Sequence, residues 1–275
     1  MTSTTSGTQA SGAMVSGAKP RRWGAFYVAE HRLLAMRAYL RTIIVTGFGN
    51  PLVYLFGLGV GLARLINADI DGATYLEFVA PALLATAGIT VASEEFSYPV
   101  LAGFKWNQIF AAMNAAPISG AQIVAGMILG TFCRMLPTVA VYFVFMVLFG
   151  AVPHALGILA ILVSVVTGMA IGIPIMAFTS TIKDDRGQIA LMQRFILIPL
   201  SLFSGTFFPL TRLPIYLQWI GWISPLWHGT QLGRELSFGL VEPGWLVAVH
   251  IGYLVLLVVG GWWFAARNFT KRLNA

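Results

Sequence analysis

Few side chains in this chain are of a type that could do chemistry. Glu94 and Glu95 form an acidic pair, and Arg134 lies inside the apolar run Ile123–Phe149. A guanidinium inside a membrane costs several kcal/mol unless it is paired or hydrated. Arg134 falls about 16 Å along a helix begun at Ile123. Two roles are open to it: contact with an anionic headgroup or phosphate in a transport path, or an ion pair with Glu94 or Glu95. The two carboxylates in turn could cap a following helix, form a gate salt bridge, or end a helix in solvent. His31, His154, His228 and His250 are scattered without ligand spacing, so no metal site is expected. His228 is expected to bond a backbone group or to face an exit. Cys133 is the single cysteine, which excludes an intrachain disulfide and a cysteine metal site.

No energy source is visible. Each of the four lysines follows Ala18, Phe104, Ile182 or Thr270, so the Gly-Lys step of a phosphate-binding loop does not occur. No Asp or Glu falls in the middle of an apolar run, which argues against proton or sodium coupling. No catalytic pair or triad is persuasive by spacing. The chain is therefore expected to bind no cofactor and to catalyse nothing, and any work must come from another protein.

The elements that position these residues are membrane helices. Hydrophobic residues make up 57% of the chain and charged ones 10%, too few to cover a soluble globule. The net charge of +7 does not imply a nucleic-acid partner, because what matters here is the side on which cations lie. Six stretches are long and apolar enough to cross a bilayer: about 43–63, 76–93, 123–149, 155–179, 189–207 and 245–266. With this assignment thirteen Lys and Arg fall on one side and three on the other, which predicts both termini in the cytosol. Residues 1–22 are rich in Ser, Thr, Gly and Ala and have no signal-peptide core. They read as a disordered cytosolic tail, ahead of one membrane domain over 23–272.

Three segments lie outside the spans. Residues 23–41 place Phe26, Ala29, Leu33, Met36 and Leu40 at helical spacing, as in a helix lying on the inner leaflet among membrane lipids. Between spans 2 and 3 the spacing predicts a short amphipathic helix from Phe104 to Ala115, ended by Pro117. Its aromatic side, with Phe104, Lys105, Trp106, Ile109, Phe110 and Met113, reads as a docking surface. Between spans 5 and 6, about 208–240, the chain is apolar yet broken by Pro209, Pro214 and Pro225. Two half-length helices, about 214–223 and 225–236, predict a re-entrant hairpin dipping from the outer face, with His228 inside it.

With these features in view, the stretches YLEFVAPALLA (75–85), EFSY (95–98), NAAPIS (114–119), LFSGTFFPLTRLPIYLQWI (202–220) and PLWHGTQLGRE (225–235) resemble those of type-2 ATP-binding-cassette permeases. The resemblance is to the nodulation-factor and polyketide-drug exporter branch and covers about residues 25–272. It implies an all-α fold with a coupling helix over the 2–3 connection. It also implies two cytosolic ATPase subunits that use ATP and Mg, a second permease copy (identical or a paralogue), and residence in the plasma (inner) membrane. The implied cargo is amphipathic and exported: a lipid-linked glycan, a glycolipid or a polyketide-like drug. The alternatives are an integral-membrane lipid or glycosyl transferase, or a passive channel or scaffold subunit.

Overall fold

The computed structural model describes residues 22–62, 70 and 72–274. The expected tail lies outside the described residues except for Arg22, as do Arg64, Asp69 and Asp71 of the expected outer loop. Eleven α-helices carry the fold: α1 Gly24–Met36, α2 Leu40–Tyr54, α3 Tyr75–Phe96, α4 Tyr98–Lys105, α5 Ile109–Ala115, α6 Gly120–Leu148, α7 Ala160–Thr179, α8 Gln188–Phe203, α9 Ile215–Trp222, α10 Pro225–Phe238 and α11 Gly244–Leu273. A wide π turn, Leu55–Leu62, extends α2, and a second, Gln193–Leu197, lies within α8. No β-strand occurs among the described residues; a single bridge joins Ile70 to Ala73.

Among the described residues, four helical stretches are long and apolar enough to cross a membrane: Tyr75–Lys105, Gly120–Leu148, Ala155–Thr179 and Gly244–Leu273. They match expected spans 2, 3, 4 and 6. α2 and the shorter α8 occupy the places of spans 1 and 5. Local chemistry sets the ends. Thr74 and Glu77 form a reciprocal capping box at the start of α3, and Ser119 and Gln122 do the same for α6. Pro225 opens α10, and Gly239, at φ +80°, closes it.

The core is built where backbones touch. A β-carbon on Gly88 of α3 would lie 2.6 Å from the Ser164 carbonyl, and one on Gly168 of α7 would lie 2.7 Å from the backbone of Gly88. Gly126 of α6 receives Ala25 and Val28 of α1 in the same way. α1 therefore lies against α6 through Val28, Ala29 and Met36, which are buried, while Phe26, Leu33 and Leu40 of the expected stripe are exposed. The stripe is split between protein and surroundings.

The 2–3 connection departs from expectation. Instead of one helix from Phe104 to Ala115 there are two, α4 and α5, separated at Gln108, which takes the left-handed conformation at φ 48°. Tertiary packing supplies the reason. Two residues six apart on a straight helix point about 120° away from each other. The break lets Phe104 and Phe110 stack on each other at 4.9 Å and both meet Phe269 of α11, at 4.7 and 5.3 Å. Phe110, expected on the docking surface, is core.

Candidate functional site

α3 ends where two arginines from other helices converge. Arg134, midway along α6, bonds Glu94 Oε2 at 2.6 Å and also pairs with Glu95 Oε1. Arg32 of α1 donates from Nε to the other Glu95 oxygen at 2.9 Å and pairs with it again through its terminal nitrogen. The Glu95 side chain is 2% exposed, so each of its oxygens is neutralised by a different helix. Two cations and two anions balance. Buried charges persist only when paired and hydrogen-bonded in this way. Of the two partners open to Arg134, the structure gives it both.

Above this cluster lies a chamber of about 360 Å³ between α2, α3, α6, α8 and the turn that follows α8. Its floor is Glu94 and Arg134, and its wall carries Thr46, Thr86, Thr90, Thr138, Tyr142, Ser201 and Thr206 among apolar side chains. Most of these hydroxyls are already committed as donors. Thr46, Thr86, Thr90, Thr138 and Ser201 each donate to a carbonyl three or four residues earlier in their own helix, at 2.7–3.2 Å. Thr206 donates to the Ser201 carbonyl at 2.9 Å. What they turn to the chamber is acceptor lone pairs. The Tyr142 hydroxyl is buried with no hydrogen-bond partner among the described residues. An unsatisfied buried polar atom is costly, so this one is available to a ligand or water.

A second polar cluster secures the opposite end of the bundle. Arg234 of α10, 2% exposed, donates to the Phe78 carbonyl at 3.0 Å, the Gly205 carbonyl at 2.7 Å and Gln231 at 2.9 Å, and lies 3.5 Å over the Phe78 ring. Gln231 donates to Glu242 Oε1 at 2.6 Å, and Glu242 Oε2 lies 3.0 Å from His250 Nε2. His250 Nδ1 is 2.6 Å from His228 Nδ1, and His228 Nε2 is 3.0 Å from the Trp222 carbonyl. Acceptor chemistry orders the protons. A carbonyl only accepts, so His228 Nε2 carries a hydrogen, and the neutral ring offers Nδ1 as acceptor. His250 Nδ1 must then donate.

The expected hairpin residues sit at helix entrances. Pro209 precedes the single turn Leu210–Arg212, Pro214 caps α9 and Pro225 begins α10. His228 bonds a backbone carbonyl, one of its two anticipated settings. Sequence reasoning missed Gln231, Arg234, Glu242 and His250. The spacing of His228, Gln231 and Arg234, three residues apart on one helix face, was the available signal.

On the α4–α5 connection, Trp106 is 60% exposed, Ile109 and Met113 are half-buried, and Lys105 pairs with Asp184 of the 180–187 turn. The hydrogen bond from Lys105, then its charge, holds the Asp184 carboxyl below the usual carboxylate range. Arg272 of α11 donates to the carbonyls of Ser180 and Ile182, both at 2.8 Å, and lies 4.1 Å over Phe104. α4, the 180–187 turn and the end of α11 thus form one platform.

The sequence profile of the family described as "ABC-2 type transporter" matches residues 29–238. The chain belongs to that family. It is similar to Nodulation protein J of Rhizobium leguminosarum bv. viciae, 27% identical over 241 residues that cover 84% of this chain and 88% of the relative. Nodulation protein J of Rhizobium meliloti is 25% identical over 260 residues, 91% and 94% of the two chains. The Inner membrane transport permease YadH of Escherichia coli K12 is 26% identical over 231 residues, 82% and 85% of the two chains. This ABC-2 chain is accordingly an integral membrane protein and a transport subunit, the permease part rather than the ATPase. Permeases of this family normally work with an ABC ATPase.

Proposed function

We propose that the chain is the permease half of an ATP-driven exporter, crossing the inner membrane six times with both termini in the cytosol. Residues 23–272 form its single membrane domain, joined by a second permease copy and two ATPase subunits. ATP and Mg are bound by the ATPase, and this chain holds no cofactor. The observation that carries this reading is the chamber: acceptor oxygens and an unpartnered tyrosine inside an otherwise apolar bundle. Such a wall suits an amphipathic cargo whose head brings hydrogen-bond donors and whose tail suits the apolar remainder, as in a lipid-linked glycan, a glycolipid or a polyketide-like drug. The description of one relative as an inner membrane transport permease supports the location. The exposed Trp106 and Lys105, with the half-buried Ile109 and Met113, on the α4–α5 connection form the surface on which the ATPase docks, and the platform through Arg272 transmits its closure.

The test is reconstitution with the ATPase partner in vesicles. Trp106→Glu is expected to reduce ATPase association and ATP-driven export at least tenfold while the permease stays folded, because an exposed aromatic at an interface centre carries much of the affinity. Unchanged association would place docking elsewhere. Tyr142→Phe is expected to lower export with association intact; no effect on any cargo tested would remove the chamber from the path.

A further inference from the structure

A second cavity, on the opposite side of α8 from the chamber, has no part in the reading above. It is a slot of about 730 Å³ between α7, α8 and α11, walled by side chains such as Ile175, Phe195, Leu200 and Leu257. It runs from Phe178 and Gln188 at one end to Ile223, Pro225 and Tyr253 at the other, where α9 and α10 close it and Tyr253 bonds the Ile223 carbonyl at 2.6 Å. The helix that borders it is held loosely: Leu191, Phe195 and Ile196 are all more than half exposed.

The open end is different in kind. A smaller cavity there shares Phe178 and Gln188 with the slot and is lined by Lys183, Asp184 and Arg186. Asp184 is occupied by Lys105. Among the described residues neither Lys183 nor Arg186 forms a salt bridge, and both side chains are exposed. An apolar slot lined along α8 from Gln188 to Leu200, a rise of about 18 Å, therefore opens onto two available cations at the end of the bundle that also carries Lys271 and Arg272.

We propose that this slot holds one anionic phospholipid of the cytosolic leaflet, with a tail between α7, α8 and α11 and its phosphate against Lys183 and Arg186. Charge complementarity selects the occupant. A second copy of this chain would have to bring acidic residues to the same place; at this end Glu94, Glu95 and Asp184 are already in ion pairs and Asp185 accepts the Gly187 N–H at 3.0 Å within the turn itself, which leaves Glu30 of α1. The lipid is resident rather than cargo: its tail fills the gap beside the loosely held α8, and its head braces the 180–187 turn.

The test uses the full chain in mild detergent, with bound lipid counted by native mass spectrometry after exchange against equal amounts of phosphatidylglycerol and phosphatidylcholine. The wild-type protein is expected to retain phosphatidylglycerol about tenfold over phosphatidylcholine, the preference two cations confer near a membrane surface. Lys183→Ala with Arg186→Ala is expected to bring that preference close to one. Leu257→Trp, which fills the slot without touching the cations, is expected to lower retention of both lipids. Equal retention by the wild type overturns the proposal. So does a preference that survives the double substitution, which would assign the anion to another basic cluster or to the N-terminal arginines. These readouts need no transport or ATPase, so they stand or fall apart from the exporter reading.

Discussion

The two buried polar clusters solve the same problem by opposite means. The inner one joins α1, α3 and α6 through four formal charges, Arg32, Glu94, Glu95 and Arg134, each contact running between side chains. The outer one fixes Arg234 on two main-chain carbonyls and one amide, then passes through Gln231, Glu242 and two histidines to a third carbonyl. Carbonyls inside helices and tight turns cannot follow a donor, so the outer network locks the α9–α10 hairpin to α3 in one geometry. Side-chain carboxylates can rotate and exchange partners between two guanidinium groups. The inner cluster therefore holds its helices together while permitting them to shift.

The comparison breaks hardest at Glu95. Glu95→Ala leaves Arg32 and Arg134 facing each other with one anion between them. It is expected to cost about 3–5 kcal/mol, read as a lowered unfolding midpoint or loss of monodisperse protein in detergent. Arg234→Met is next, at about 2–4 kcal/mol, because it removes charged donors from the Phe78 and Gly205 carbonyls inside the bundle. Arg234→Lys should recover only part of this, since an ammonium cannot reproduce the three-way fork. If Arg234→Met were milder than Glu94→Ala, the outer cluster would not be the rigid one. His250→Phe is smaller, about 1–3 kcal/mol, from the orphaned His228 Nδ1. Limited proteolysis should detect it as cleavage confined to the 204–243 segment.

The smallest effect belongs to the exposed pair. Lys105→Ala should return the Asp184 carboxyl upward to the ordinary range, visible in a carboxyl-carbon NMR titration. A carboxyl held low contributes stability above its unfolded value and loses it as pH falls. Solvent screens this pair, so thermal stability is expected to stay unchanged. A measurable loss would mean that the platform is tighter than its exposure implies.

Hydropathy made most of the fold legible. The long helices at Gly120–Leu148 and Ala155–Thr179 end within a few residues of the apolar runs at 123–149 and 155–179, whereas Tyr75–Lys105 and Gly244–Leu273 run well past those at 76–93 and 245–266. The hairpin's two helices start at the prolines that announced them. What could not be read was tertiary. Nothing near Gln108 signals a break, because its cause is Phe269, far along the chain. Arg134 had two acidic candidates within reach of a sequence argument. Arg32 did not stand out from the other N-terminal cations, since its use depends on how α1 crosses α6. The same holds outside: one helix face displayed His228, Gln231 and Arg234, but the neighbours that give them meaning sit on a loop and on α11. Gly126 and Gly168 receive neighbouring helices, whereas a β-carbon on Gly57 would meet no atom of the described residues within 4 Å.

The contact of Gly88 with Gly168 has a consequence for how this sequence tolerates change. With main chain pressed on main chain, neither position has room for even a methyl group; the Met135 side chain stands at both, but its yielding would not relieve the contact with backbone. In a saturation library, alanine at either site should already be depleted, and a compensating change at the other cannot restore growth because nothing smaller remains to be substituted. Drift in this protein will pass around that seam, through the looser lining of α8, leaving a fixed axis about which cargo preference is free to diversify.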